Sequence, residues 1–359
     1  MTKKDQIQRK LKDEIINSGF RGIVLASVRS GKTRVLLEAI KEDWKGRDLP
    51  KVLVCYPNVD IKTSWEEECT IIGYHPDIGY STFASLHKLI NTKWDYVIID
   101  EAHLLGEENQ LPAAANLARN NDKTIFASGT YNKNTLEEIQ LNTGFDLIVN
   151  YSTDDAIADG IVSNFTIYIH RYALDQTIPR EYGKKKKWKS TEAKECARLN
   201  FRVEMSSGKE RMFHSLARMR FINTSHSLSS KVKKLLVKIN KERFILFVAD
   251  EKTGLRYGIP MFNSKSKDDE ILKKFQAGVI NEICLIKKAS AGVTYPNLQN
   301  IIITNINSNG ENLEQQIGRS LLTDTEHSNI HIIVSNQSFQ LKWLNKALEN
   351  IDKSHIIWV

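Results

Sequence analysis

Residues 26–33, ASVRSGKT, carry the side-chain types that phosphate chemistry requires, in the order it requires them. Ser30 and Gly31 let the backbone turn tightly, so that successive amide N–H groups face phosphate oxygens at the positive end of a following helix. Lys32 would reach the β and γ phosphates of a nucleotide, the Thr33 hydroxyl would ligate Mg2+, and Arg29 lies in the same loop. Ala26 replaces the usual first glycine and Arg29 fills a place that is often small, so a chance Gly-Lys-Thr in a loop is the plainer alternative. A second constellation, VIIDEAH, puts Asp100 and Glu101 at the carboxyl end of an apolar run, 68 residues after Lys32. Two adjacent carboxylates at a strand tip can divide the labour, Asp100 holding a magnesium shell and Glu101 orienting and deprotonating an attacking water. A merely solvent-facing acidic strand end is the alternative, and the two motifs taken jointly weigh against it. His103 either couples such a site to a partner motif or closes a local hydrogen-bond network.

These side chains need a scaffold, and the apolar periodicity supplies one. Short β-branched runs at 22–27, 52–56, 96–100 and 124–127 are each followed by a polar or helical segment. After Lys32, the residues Val35, Leu36, Ala39 and Ile40 recur on one helical face. That alternation predicts a parallel sheet covered on both faces. It returns at 243–248, 282–286, 300–304 and 330–334, so two similar α/β halves are expected, residues 1–153 and 154–359, joined within 150–162. A chain of 359 residues is long enough for both to bury a core.

Composition narrows the class. Hydrophobic residues at 41% and charged residues at 26% exclude wholesale disorder. No run approaches the roughly 18 apolar residues of a membrane span, and the opening MTKKDQIQRK lacks the apolar core of a secretory signal, so a soluble, cytoplasmic protein is expected. Cys55, Cys69, Cys196 and Cys284 are scattered without C-x-x-C spacing, which argues against a disulfide framework or a zinc site. The net charge of +8 has one source: positions 171–234 hold 17 Lys and Arg against six Asp and Glu, leaving the remainder slightly acidic. That stretch contains Lys184, Lys185, Lys186 and Lys187, with Trp188, Phe201 and Phe213 interleaved among further arginines. It suits phosphate neutralisation with some base stacking. A solvated lysine loop and a nuclear address are the alternatives.

In this order the motifs resemble those of the superfamily 2 helicases and translocases, in particular a DEAH-type member of compact, phage-like organisation, over nearly the whole chain. The resemblance implies tandem RecA-like domains that bind ATP with Mg2+ and act on nucleic acid. In 52–68, Pro57 and Asn58 match a backbone-contacting motif, and Thr82 in STFASL matches the next. Ser128, Gly129 and Thr130 stand where the family couples hydrolysis to domain movement, in a form closer to Swi-Snf-type and restriction-type translocases. Gln8 falls where an adenine-reading glutamine would. In the second half, 288–298 resembles the loop touching nucleic acid and nucleotide, with Gly292 its nucleotide contact. EQQIGRSLL resembles the last motif, with Gln315, Gly318 and Arg319 in register, and implies that Gln315 and Arg319 complete the catalytic site. Leu322 replaces the family's second arginine and Thr294 its usual acidic residue, which implies a slow ATPase or a protein partner that supplies the missing charge. The function implied is an ATP-dependent helicase or translocase, on DNA in preference to RNA. An RNA helicase and a nucleic-acid-stimulated ATPase that remodels without unwinding are the alternatives. A kinase or GTPase fits the paired halves and the basic stretch poorly.

Overall fold

The apolar runs become the central strands of two parallel sheets. The computed structural model describes residues 2–27, 30–57, 60–106, 108–129, 131, 133–183, 187–239, 242–263, 270–286, 295, 297–306, 327–349 and 351–359. These divide into two units, Met1–Val162 and Ser163–Val359.

Unit 1 opens with helix α1 (Lys3–Asn17), whose first turn is closed by a reciprocal pair: the Thr2 hydroxyl accepts from the Asp5 amide and the Asp5 carboxylate from the Thr2 amide. There follow β1 (Arg21–Ala26), α2 (Lys32–Asp43), β2 (Lys51–Tyr56), α3 (Asp60–Ile72), β3 (Asp77–Thr82), β4 (Tyr96–Asp100), α4 (Gln110–Asn120), β5 (Thr124–Ser128), α5 (Lys133–Thr143), β6 (Leu147–Tyr151) and α6 (Thr153–Ala158). The strand order is β3-β2-β4-β5-β1-β6, parallel throughout. β4 and β5 are buried along their whole length and β2 along all but its first residue, which is why they read as unbroken apolar runs. On one face Leu53, Val97, Ile99 and Phe126 pack with Leu111, Ala114 and Leu117 of α4. The edge strands β3 and β6 have mixed sequences, DIGYST and LIVNY, and the run-based reading passes over them. The expected join at 153/154 falls at the start of α6, which belongs to unit 1.

Unit 2 contains β7 (Asn164–Tyr172), a small antiparallel hairpin of β8 (Arg180–Tyr182) and β9 (Trp188–Ser190), helices α7 (Glu192–Glu204), α8 (Gly208–Asn223) and α9 (His226–Ile239), then β10 (Phe244–Val248), α10 (Glu251–Gly254), β11 (Met261–Asn263), α11 (Glu270–Gln276), β12 (Glu282–Ile286), β13 (Asn300–Ile303), β14 (His327–Ser335), α12 (Ser338–Ala347) and β15 (Ile356–Trp358). Its sheet runs β11-β12-β10-β13-β14-β7-β15, again all parallel. β7 pairs with β14 over nine residues yet alternates Phe165, Ile167 and Ile169 with polar positions, so no apolar run announces it.

The basic stretch is mostly helical. Buried Glu195 accepts from the Trp188 indole at 3.1 Å and pairs with Arg198 at 2.5 Å, tying the hairpin to α7. α8 by contrast buries only Ile222 and Asn223. Where α7 ends and α8 begins, Phe201 (61% exposed), Met205 (73%), Met212 (53%) and Phe213 (63%) stand in solvent. All four cysteines are buried free thiols, and among the described residues no helix is long and apolar enough to cross a membrane.

A polar chain crosses the apolar interior of unit 2. His170 Nε2 and His331 Nδ1 are 3.0 Å apart, His331 Nε2 lies 3.2 Å from Asn300 Oδ1, and Asn300 donates to Glu242 at 2.7 Å. Burial, aided by the charges of Lys231 and Lys238, pushes the His170 pKa down to about 4. Burial, aided by His170, pushes His331 to about 3. Both imidazoles are therefore neutral in the folded protein, whereas the unfolded chain protonates them below their ordinary value near 6.5. Stability contributed at neutral pH is lost as pH falls from 6.5 towards the folded values. The urea midpoint of unit 2 is expected to decline between pH 6.5 and pH 4, before most carboxylates titrate; a level profile across that window would contradict the neutral pair.

Candidate nucleotide site

In unit 1 the strand order sets the tips of β4, β5 and β1 side by side, with Asp100 opposite Ala127 and Leu25 opposite Ser128 in the ladders. The loop after β1 turns through Gly31, whose left-handed φ of 83° no side chain adopts comfortably. A Cβ there would also lie 2.2 Å from Gln8 Nε2. Gln8, buried on α1, donates that same amide nitrogen to the Ser30 carbonyl at 2.8 Å, so α1 braces the turn. α2 then begins with no side-chain cap and no acidic residue in its first turn, which leaves its amides and dipole available to an anion. Thr33 sits in that first turn, partly buried.

Lys32 projects from this turn onto the carboxylates. Its Nζ lies 2.6 Å from Asp100 Oδ1 and 2.9 Å from Glu101 Oε1. Burial alone would lower the lysine pKa, but Asp100 and then Glu101 reverse that and hold the ammonium above its ordinary value. The sign follows: the pair's contribution is complete below the ordinary lysine pKa and fades only as pH climbs through the raised one. Glu101 itself has φ 55°, ψ 45°, a left-handed conformation that swings it out of the strand line. His103 lies in the 3-10 turn Ala102–Leu104, 2.6 Å from Ser128 Oγ and 3.5 Å from Glu101 Oε2. It thus links the tips of β4 and β5.

Two residues at this site escape motif reading. The indole of Trp65 on α3 donates to Asp100 Oδ2 at 2.9 Å. Tyr131 is partly buried, donates to the Phe126 carbonyl at 3.0 Å, and has its phenol pushed well above the ordinary range by burial and then by Glu101 and Asp100. A tryptophan inside the polar run TSWEEE was the only sequence signal for the first, and nothing marked the second.

The donor set fits a nucleotide with a hard cation. The Ser30 hydroxyl is buried with no hydrogen-bond partner among the described residues, in the turn where a phosphate oxygen would supply one. Asp100 and Thr33 offer the oxygen ligands that magnesium prefers.

Pro57 follows β2 and Thr82 ends β3, and Tyr56 opposes Thr82 in the ladder, so the two strand tips adjoin each other and then β4. At a strand spacing of about 4.8 Å, they lie about 14 and 19 Å along the row from β1, whose loop carries Lys32. Gly129 closes β5. In unit 2, Lys187 is exposed and pairs with Glu181 across the hairpin at 2.6 Å. Arg29, Asn58, Thr130, Lys184, Lys185, Lys186, Gly292, Thr294, Gln315, Gly318, Arg319 and Leu322 lie outside the described residues.

No family model matches the sequence, and no curated protein matches it. Solved structures do. The chain is similar to S. cerevisiae Dbp5 bound to RNA and ADP BeF3, with TM-score 0.56 and 12% identity over 94% of this chain and 85% of that one. It is similar to the Pyrococcus furiosus Hef helicase domain, with TM-score 0.55 and 12% identity over 96% and 97%. Against the ATP-dependent type ISP restriction-modification enzyme LlaBIII bound to DNA, the TM-score is 0.60 at 13% identity, over 100% of this chain and 31% of that one. At such identities the likeness establishes the fold: two tandem RecA-like domains built on parallel sheets.

Removing the lysine would leave two carboxylates facing each other with no cation. Lys32→Met is expected to lower unfolding free energy by roughly 2 to 4 kcal/mol at pH 7. Adding Asp100→Asn should recover part of that loss in a urea titration. Parental stability in the single variant would show that the three groups do not depend on one another.

Proposed function

We propose that the chain is an ATP-dependent nucleic-acid helicase or translocase of superfamily 2, of DEAH type and phage-like compactness, working on DNA. The observation that carries this reading is the convergence of Lys32, Asp100, Glu101 and Ser128 on three neighbouring strand tips, beside a turn whose Ser30 hydroxyl lacks a partner. In this reading Lys32 leaves its carboxylates for the β and γ phosphates of ATP, while the amides around Ser30 and Gly31 take the phosphate oxygens. Thr33 and Asp100 would hold Mg2+, which supplies neutralisation of phosphate charge. Glu101 orients the attacking water and takes its proton. His103, already in contact with both Glu101 and Ser128, passes the change to residues 128–130. Gln8 reads the adenine. By the sequence resemblance Arg29, Gly292, Gln315 and Arg319 serve the same nucleotide, and Leu322 calls for a partner protein that restores the absent charge.

Pro57 and Thr82 lie on the same row of tips, and together with Asn58 they are assigned by the sequence resemblance to the nucleic-acid backbone. The lysines at 184–187 add sequence-independent attraction. The SGT form of residues 128–130 supports DNA over RNA. Leu322 and Thr294 favour a second reading, an ATPase that remodels without unwinding; strand displacement on tailed duplexes separates the two.

Glu101→Gln is expected to cut the ATPase rate by about two to four orders of magnitude while nucleotide binding persists. Hydrolysis at the parental rate would remove Glu101 from the chemistry. Replacing Lys184, Lys185, Lys186 and Lys187 with serine should weaken DNA binding equally across sequences and reduce the salt slope by about 0.7 to 0.9 per lost contact. An unaltered slope would return the run to a solvated loop.

A further inference from the structure

Asp100 is held from two directions. Its Oδ1 takes Lys32 Nζ at 2.6 Å and the Glu101 amide at 3.0 Å, contacts that come from the phosphate loop and from its own chain. Its Oδ2 takes the indole N–H of Trp65 at 2.9 Å, a contact from α3. Trp65 is wholly buried, and Asp100 nearly so, which makes a charge-assisted bond of this kind both strong and directional. A buried indole must place its N–H somewhere, and a backbone carbonyl would serve. Here it is placed on one oxygen of the carboxylate assigned to the metal.

α3 also reaches the strand tips assigned to nucleic acid. It starts three residues after Pro57, and Trp65 lies only about 8 Å further along the helix. From the same helix Lys62 stands 5.3 Å over the ring of Tyr80, two residues before Thr82 on β3. One helix therefore contacts β3 near Thr82, starts three residues after Pro57, and holds Asp100 through a hydrogen bond from Trp65.

We propose that Trp65 is a positioning residue through which nucleic acid at the Pro57 and Thr82 tips adjusts the carboxylate of Asp100. This rests on the nucleotide-site reading above. A small rotation of α3 lengthens or shortens the indole bond to Oδ2, and the orientation of the carboxylate plane, with its affinity for magnesium, changes with it. The stimulus is the phosphate backbone of a single strand, and the response is the readiness of the site for its metal.

Trp65→Phe keeps the apolar packing and removes the donor. In an ATPase assay on the full chain, this variant should need several-fold more Mg2+ for half-maximal rate, within the range of about 10 to 100-fold typical for groups behind a metal ligand. Stimulation by oligo(dT) should fall in the same variant. An independent readout is the indole N–H resonance of Trp65 in 15N-labelled parent protein, assigned by its displacement in Asp100→Asn. It should shift when oligo(dT) is added without nucleotide, and again with Mg2+ alone. Parental Mg2+ dependence and stimulation in Trp65→Phe, or a uniform loss of rate with neither changed, would overturn the proposal, as would a resonance unmoved by oligo(dT). Should the parent fail to hydrolyse ATP, the nucleotide-site reading falls instead, and the response of the resonance to oligo(dT) still decides whether α3 reports to Asp100.

Discussion

The geometry of unit 1 depends on one lysine satisfying two carboxylates at adjacent positions of a strand tip. Burying Asp100 beside Glu101 without a cation would be strongly unfavourable, and Lys32 can reach both only because the chain turns through left-handed Gly31 immediately before it. The turn in turn is fixed from behind by Gln8. Loop, helix start and strand tip are thus a single electrostatic unit in which no member can be moved alone. A polyanion entering the turn would compete for the same ammonium, so ligand binding and rearrangement of the carboxylates are one event.

The sequence motifs single out residues of this unit because phosphate chemistry, if it occurs here, asks for fixed residue types at fixed strand ends. Lys32, Asp100, Glu101 and His103 lie together in the structure, and Ser128 joins them through His103. The fully buried strands were equally plain, since a strand covered on both faces has to be apolar throughout. What stayed hidden had physical reasons. β3 and β6 are edge strands with half-covered faces, and β7 alternates because His170 and Tyr168 point into a polar chain, not an oily layer. Trp65 and Tyr131 act through tertiary proximity, which one-dimensional spacing does not encode. The sequence resemblance assigns Gln8 to a nucleotide base, whereas in the structure its amide holds the loop backbone.

Unit 2 spends its sequence differently. The charge excess of residues 171–234 falls on positions 180–190, on α8 and on the start of α9, while α7 carries three basic and three acidic residues. A sixteen-residue helix that buries two side chains adds little to the core, and four large apolar side chains left in solvent at its junction with α7 exceed what scattered surface exposure explains. Under the proposed function, such cations beside exposed aromatic rings would meet phosphate and base.

Glu101 sits in the left-handed region, where a side chain with a Cβ costs about 1 kcal/mol or more and glycine costs far less. Glycine at this position would relieve the backbone, yet it would also remove the carboxylate that Lys32 reaches at 2.9 Å. Position 101 thus sets conformational ease against charge pairing, and the melting temperature of a Glu101→Gly variant would report the difference between the two and neither alone.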